Sequence, residues 1–229
     1  MMTTKPALAF LLAAATATAA DWVKLFDGKT LNGWSVHSGT ATYAVENGTI
    51  VGTAVLGSPN TFLCTAKEFG DFILEFEVKV DPELNSGVQF RSLIAPEPMV
   101  FKVEEKGKLI ERKIPADRVY GYQVEIATQA SGNCGNVYDE ARRGRFLDDF
   151  SNKPRARAAF KDGQWNKYRV ECKGDSIKTW VNGVPAADFK DSMTARGIIG
   201  LQVHAIPKDK FKPYQVRWRN IRIRETNPI

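Results

Sequence analysis

Three short segments of this chain alternate apolar and polar residues with a period of two, and that pattern narrows the fold more than any other feature. In Gly121-Tyr122-Gln123-Val124-Glu125-Ile126, the residues Tyr122, Val124 and Ile126 share one face, and Gly121, Gln123 and Glu125 the other. In Ser86-Gly87-Val88-Gln89-Phe90-Arg91, Val88 and Phe90 oppose Gln89 and Arg91. In Gly200-Leu201-Gln202-Val203-His204, Leu201 and Val203 oppose Gln202 and His204. Taken singly, each is an ordinary half-buried strand with a solvated face. Together they present Gln with Arg, Glu or His, side chains that hold a polar ligand in fixed geometry. If the strands share a sheet, Arg91, Glu125 and His204 converge on one polar surface.

The rest of the chain reads the same way. Phe72, Leu74, Phe76 and Val78 alternate with Ile73, Glu75, Glu77 and Lys79 in a long strand with a clear core face. Thr42–Val45 and Thr49–Val51 flank Glu46-Asn47-Gly48, a hairpin signal. Strands resume at Trp165–Cys172, Ser176–Val181, Ile198–His204 and Val216–Arg224, separated by Gly, Asn and Asp turns. The polar insertion Ala95–Asp117 holds two short strands around Glu105-Lys106-Gly107 and reads as a flap on the sheet rim. Val137–Phe150, with the basic cluster Arg142-Arg143-Gly144-Arg145, reads as a short helix or a rim loop. There is no run of amphipathic helices, no repeat and no linker. The pattern predicts one all-β domain, an antiparallel β-sandwich over residues 21–229.

Residues 1–20 read as a signal peptide. Lys5 supplies the positive end, Ala7–Leu12 an apolar run, and Ala17-Thr18-Ala19 a small-residue cleavage pattern before Ala20 or Asp21. The run falls well short of the ~20 residues that span a bilayer. The expectation is an exported protein, periplasmic or extracellular, with no membrane span. The net charge of +6 loses only Lys5 on cleavage and leaves +5. The basic residues are dispersed, without the stripe and stacking aromatics of a nucleic-acid binder, so no nucleic-acid partner is expected. Of the three cysteines, Cys172 falls on a core face, Cys64 and Cys134 are free to pair or not, and Cys134 between glycines is a weak nucleophile candidate.

Glu125 is the first candidate for an acid or base, because a Glu between a flap and a long loop is partly desolvated. His204 is one of only two histidines. Tyr138, Trp165 and Trp180 are candidate sugar platforms, with Trp180 the best placed because it falls on an outward face; Trp34 and Trp218 read as core. Glu75 and Glu77 are the nearest approach to the acid pair of a sandwich glucanase, but a third acid and the aromatic setting are missing.

The ordered set of motifs resembles the 3-keto-disaccharide hydrolase domain. It opens on Leu25-Phe26-Asp27-Gly28-Lys29-Thr30-Leu31-Asn32-Gly33-Trp34 and passes through Asn85–Arg91, Gly121–Ile126, Tyr138-Asp139-Glu140, Trp165-Asn166, Val181-Asn182-Gly183 and Gly200–His204. It closes on Arg219-Asn220-Ile221-Arg222-Ile223. The resemblance spans roughly Val23 to Glu225. It implies a concanavalin A-like jelly roll and cleavage of glycosides oxidised at C3, by C2 proton abstraction, elimination and hydration. Glu125 or His204 would then be base or acid, and Arg91 would stabilise the enolate or hold the sugar. Gln89, Gln123 and Gln202 would orient hydroxyls, with Tyr138 and Trp180 as further sugar contacts. A divalent metal on Glu125 and His204 is an alternative enolate stabiliser. A sugar 3-dehydrogenase acting upstream is the implied partner. Two other readings stand beside this one: a non-catalytic carbohydrate-binding module on the same fold, and an ordinary glycosidase using Glu75, Glu77 or Asp139.

Overall fold

The computed structural model describes residues 21–226 apart from 106. The signal-peptide reading of residues 1–20 falls outside the described residues. The described residues hold almost no helix, and their strands form two large antiparallel sheets and a separate hairpin. The larger sheet runs β14 (Val184–Lys190), β13 (Ser176–Val181), β12 (Asn166–Lys173), β6 (Phe72–Val80), β16 (Gln215–Glu225), β4 (Thr49–Thr53), β3 (Thr42–Glu46). A short β1 (Val23–Lys24) pairs with β16. The smaller sheet runs β11 (Val137–Glu140), β10 (Val119–Ile126), β7 (Ser86–Ile94), β15 (Ile198–Val203), β5 (Thr61–Thr65), β2 (Trp34–His37). The predicted antiparallel sandwich is therefore the observed fold. The flap is the hairpin β8 (Met99–Glu105) and β9 (Lys108–Ile114).

The core lies between the sheets and follows the period-two pattern. Phe72, Leu74, Phe76 and Val78 of β6 meet Val88, Phe90, Tyr122, Val124, Ile126 and Leu201 from the smaller sheet, all within 1% of full burial. Phe76 stacks on Tyr168 with ring centres 5.2 Å apart, and Phe90 on Tyr122 at 5.6 Å. Trp218 is fully buried, as expected of a core residue. Cys64, Cys134 and Cys172 are all buried and free, so Cys64 and Cys134 do not pair. Burial pushes the Cys134 thiol up to about 12, which leaves it no thiolate at neutral pH.

The register of the smaller sheet builds its outer face in rows, because residues directly opposite one another project to the same side. One row crosses Glu125, Gly87, Gln202, Phe62 and His37. The next crosses Tyr138, Gln123, Gln89, Gly200, Cys64 and Ser35. Glu125, Gln123, Gln89 and Gln202 thus share one surface across three neighbouring strands.

A bulge breaks the pattern on β7. Gln89 opposes Gly200 and Ser92 opposes Ile198, so Phe90 and Arg91 face a single residue of β15. Arg91 adopts φ 45°, and a Cβ on Gly197 would lie 2.3 Å from the Ser92 carbonyl oxygen, so glycine alone lets β15 approach the bulge. The bulge turns the Arg91 side chain out of the polar row. Its guanidinium, 1% exposed, donates to the carbonyls of Gly70 and Gly174 and to Asp71 at 2.8 Å each. Arg91 ties the two sheets together at one end and does not join Glu125, contrary to the sequence expectation.

Candidate active site

A cavity of about 440 Å³ opens over the outer face of the smaller sheet. Its floor is Gln123 and Glu125. Tyr138 and Glu140 of β11 form one wall, Asn60, Asn85 and His204 another, and Arg112 of the flap reaches in from above. Tyr138 meets Phe146 edge-on at 5.2 Å, giving the cavity an aromatic corner.

Glu125 is 7% exposed. It accepts hydrogen bonds from Asn85 Nδ2 at 2.7 Å and Gln123 Nε2 at 3.2 Å, and no Lys or Arg pairs with it among the described residues. Burial pushes its carboxyl up to about 7, the two amide hydrogen bonds pull the other way, and the nearby Glu140 charge adds to the rise. A relay fixes the amides. Ser92 Oγ donates to Gln89 Oε1 at 2.7 Å, Gln89 Nε2 donates to Gln123 Oε1 at 2.8 Å, and Gln123 then donates to Glu125. Gly87 makes room for this relay: a Cβ there would lie 2.4 Å from Gln123 Cδ.

His204 stands at the end of β15. Its Nδ1 lies 2.7 Å from the Ala205 carbonyl, which can only accept, so Nδ1 carries the proton and Nε2 is left for proton exchange. The neighbouring Ala205 N–H donates to Asn60 Oδ1 at 2.9 Å, and Asn60 Nδ2 donates to Glu140 at 3.2 Å. Glu140 is itself ion-paired with Arg118, so it is not a free acid. Gln202 is fully buried, and neither amide atom has a hydrogen-bond partner.

The other half of this face is covered. Val119 and Ile94 pack over Phe62, Cys64 and Ile198, and the Arg118 guanidinium sits 5.5 Å from the Phe62 ring centre. The covering strap is pinned at Asp117. Asp117 accepts from His37 Nδ1 at 2.5 Å and from the Ser38 N–H at 2.9 Å, while Ser35 Oγ meets His37 Nε2 at 2.8 Å. Ser38 Oγ donates to the Asp117 carbonyl at 3.1 Å and accepts from the Val119 N–H at 2.8 Å.

Of the sequence candidates, Gln89, Gln123, Glu125, Tyr138, Gln202 and His204 stand on this one surface, and Arg91 and Trp180 do not. Trp180 lies on β13, on the outer face of the larger sheet, under the Arg169 guanidinium at 5.5 Å. It does face outward, but the sandwich separates it from Glu125. Glu75 and Glu77 share that far side. Glu75 pairs with Arg222, Arg169 and Lys167, and Glu77 with Arg219. Asp139, fully buried, is held by Arg142 and Arg143, which explains the basic cluster as a structural lock. None of the three acids of the ordinary-glycosidase reading reaches the cavity.

Arg112, Asn60 and Asn85 were not singled out by sequence reasoning. Asn85 opens the Asn85–Arg91 motif and was legible there; the other two lie in segments without a local signal. The metal reading does not fit these residues. Glu125 and His204 are only two donors, both Glu125 oxygens already accept amide hydrogen bonds, and among the described residues no group of three or more His, Cys, Asp and Glu converges. No step is drawn through a metal.

A model of the 3-keto-alpha-glucoside-1,2-lyase-like domain matches residues 21–224. The chain belongs to that family. No curated protein matches this chain at the sequence level. Among solved structures, it is similar to a candidate glycosyl hydrolase of Parabacteroides distasonis, with 18% identity, TM-score 0.51, and coverage of 90% of this chain and 94% of that one. It is also similar to carbohydrate-binding module CBM66 of Bacillus subtilis, with 16% identity, TM-score 0.54, and coverage of 84% and 96%. A Bacillus subtilis protein of unknown function with a galectin-like fold matches at 10% identity, TM-score 0.52, covering 91% and 96%. At these identities the three similarities show the fold. Among the described residues, no helix is long and apolar enough to cross a membrane.

Proposed function

We propose that this protein cleaves the glycosidic bond of glycosides whose sugar is oxidised at C3, by elimination across C1 and C2 followed by hydration. The observation that carries the reading is Glu125: one buried carboxylate, without a cationic partner, poised near 7 in a cavity that lacks a second free carboxylate among its described lining residues. Ordinary glycosidases need two carboxyl groups flanking the bond. A 3-keto sugar needs one base, because the carbonyl acidifies the C2 proton.

In this scheme the Glu125 carboxylate takes the C2 proton, and its electrons pass into the C2–C3 bond and onto the C3 oxygen as an enolate. Arg112 is the one Lys or Arg among the described lining residues, and it takes the charge-stabilising role that the sequence reading gave to Arg91. The enolate then expels the C1 oxygen, which takes the Nε2 proton of a doubly protonated His204. Water adds at C1 and gives its proton back to Nε2, and Glu125 returns the first proton to C2, releasing the 3-keto sugar. Gln123 and Gln89 hold the base in place, and Tyr138 with Phe146 offers an aromatic wall to the ring. A sugar 3-dehydrogenase upstream would supply the substrate, and the leader at residues 1–20 would place the reaction outside the cytoplasm.

The purified protein incubated with a 3-keto-glucoside, and separately with its unoxidised parent, should release aglycone only from the keto form. Release from both would replace this scheme with ordinary glycosidase chemistry. Release from neither, with binding to one, would make the protein a carbohydrate-binding module.

A further inference from the structure

His204 and Asn85 line two cavities. One is the Glu125 cavity. The second, about 480 Å³, lies on the other side of this shared wall, between the approach to β7 and the segment joining β15 to β16. Both volumes fall within the roughly 300–1,000 Å³ of small-molecule sites. The linings differ in chemistry. Leu84, Ala205, Ile206, Pro207 and Tyr214 give the second cavity apolar walls, and Lys210, Lys212 and Glu83 stand exposed at its edge. Leu84 is 2% exposed, and Ile206 and Tyr214 pack against the core, so the walls are preformed.

The direction of the leaving group follows from the site. A keto ring seated over Glu125 meets the strap of Arg118 and Val119 on one side, where Phe62 is already covered. His204, the proposed donor to the leaving oxygen, stands at the boundary with the second cavity. We propose that this second cavity is the leaving-group seat, and that it takes an aromatic aglycone carrying an anionic group rather than a second sugar. The inference rests on the Glu125 reading for its location. It rests on the lining for its chemistry. A sugar ring needs several directed hydrogen bonds to offset desolvation of its hydroxyls, and these walls offer few beyond Asn85 and His204. An aryl ring gains from Leu84, Ile206 and Tyr214. Two lysines against one glutamate at the edge favour a carboxylate or phenolate.

The test compares two 3-keto-glucosides, one with a phenyl and one with a 4-carboxyphenyl leaving group, in wild type and Lys210→Glu/Lys212→Glu. Both lysines are exposed, so the double variant will fold. The ratio of kcat/KM, carboxyphenyl over phenyl, should fall about tenfold or more, which corresponds to about 1.4 kcal/mol. A ratio unchanged within twofold overturns the anionic preference. Binding of free 4-hydroxybenzoate by calorimetry gives a readout without turnover. Wild type should bind it, and Tyr214→Ala, or Ile206→Ala at a partly buried position if that variant fails to fold, should weaken it about tenfold. A wild-type protein that ignores 4-hydroxybenzoate and cleaves a glucosyl 3-keto-glucoside faster than either aryl substrate overturns the seat while leaving the Glu125 chemistry standing. Binding of 4-hydroxybenzoate with no turnover of any keto-glycoside leaves an aryl-anion pocket beside Glu125 but overturns its role as a leaving-group seat together with the proposed reaction.

Discussion

Glu75 and Glu125 hold matching places on the two sheets. Each sits on the face turned away from the core, Glu75 in the middle of β6 and Glu125 next to the end of β10, and they are 8% and 7% exposed. Burial works to raise both carboxyls, and their neighbours then separate them. Around Glu75, the hydrogen bonds of Arg222 and Arg169 and the charge of Lys167 overcome burial and hold the carboxyl below its ordinary value. Around Glu125, two neutral amides only partly offset burial, and the carboxyl settles at about 7. Glu125 also lies deeper among packed atoms than Glu75 and bears the larger desolvation. Similar surface exposure therefore yields an anion on one sheet and a proton-exchanging group on the other, decided by depth of burial together with the charge of the surroundings, and the folding of the chain sets both.

Substitution at the two positions gives the sharpest contrast. Glu125→Gln should lower kcat/KM on a 3-keto-glycoside by about 10²–10⁴, the usual span for loss of a general base, while Glu75→Gln should leave it within twofold. Equal losses in steady-state assays would end the distinction. His204→Ala should cost about 10² on the same substrate if it supplies the leaving-group proton.

The two acids should also tilt stability against pH in opposite directions. The folded protein holds the Glu125 proton more tightly than the unfolded chain does. Its stabilising contribution is therefore present below the ordinary glutamate value of 4.5 and lost as pH rises to about 7, by up to about 3 kcal/mol. Glu75 is depressed, so its contribution is present above 4.5 and lost as pH falls through the lowered folded value. Urea melts between pH 4 and 8 should show Glu125→Gln gaining stability relative to wild type as pH rises. A difference that does not vary with pH would place Glu125 in a more polar setting than its contacts indicate.

Gly87→Ala probes the relay without touching an acid. The added Cβ must displace Gln123, and kcat should fall roughly tenfold, within the range for misplacement of a positioned group. Wild-type turnover would show that Glu125 needs no help from the amides. The smallest effect is expected from Glu75→Gln on folding, about 1 kcal/mol by thermal melting, since its partners Arg169, Arg222 and Lys167 are all partly exposed.

Periodicity identified most of the strands, their core faces and the polar face that holds Gln89, Gln123, Glu125, Gln202 and His204; it missed β14 and β11, the latter lying in the segment Val137–Phe150 that reads as a short helix or a rim loop. A strict period of two leaves a strand only one way to meet a core, so these residues had to share the opposite surface once their strands paired. The flap was legible because a polar insertion cannot fill a core. Arg91 was misjudged for the same reason the others were right: the rule holds only while the register holds, and one bulge residue at φ 45° reverses the side of its side chain. Trp180 was read correctly as outward, but a sandwich has two outward sides, and periodicity does not tell them apart.

The sequence by itself determined an antiparallel sandwich of this family and a short roster of polar residues able to do chemistry. Only the tertiary structure decided which of them meet. Arg112 arrives from the flap, Asn85 from the turn before β7, and the strap at Asp117 closes half of the face. These are contacts between segments far apart in the chain. Their distances depend on sheet register, and so does the unpaired, desolvated state of Glu125, which no local pattern of residues encodes.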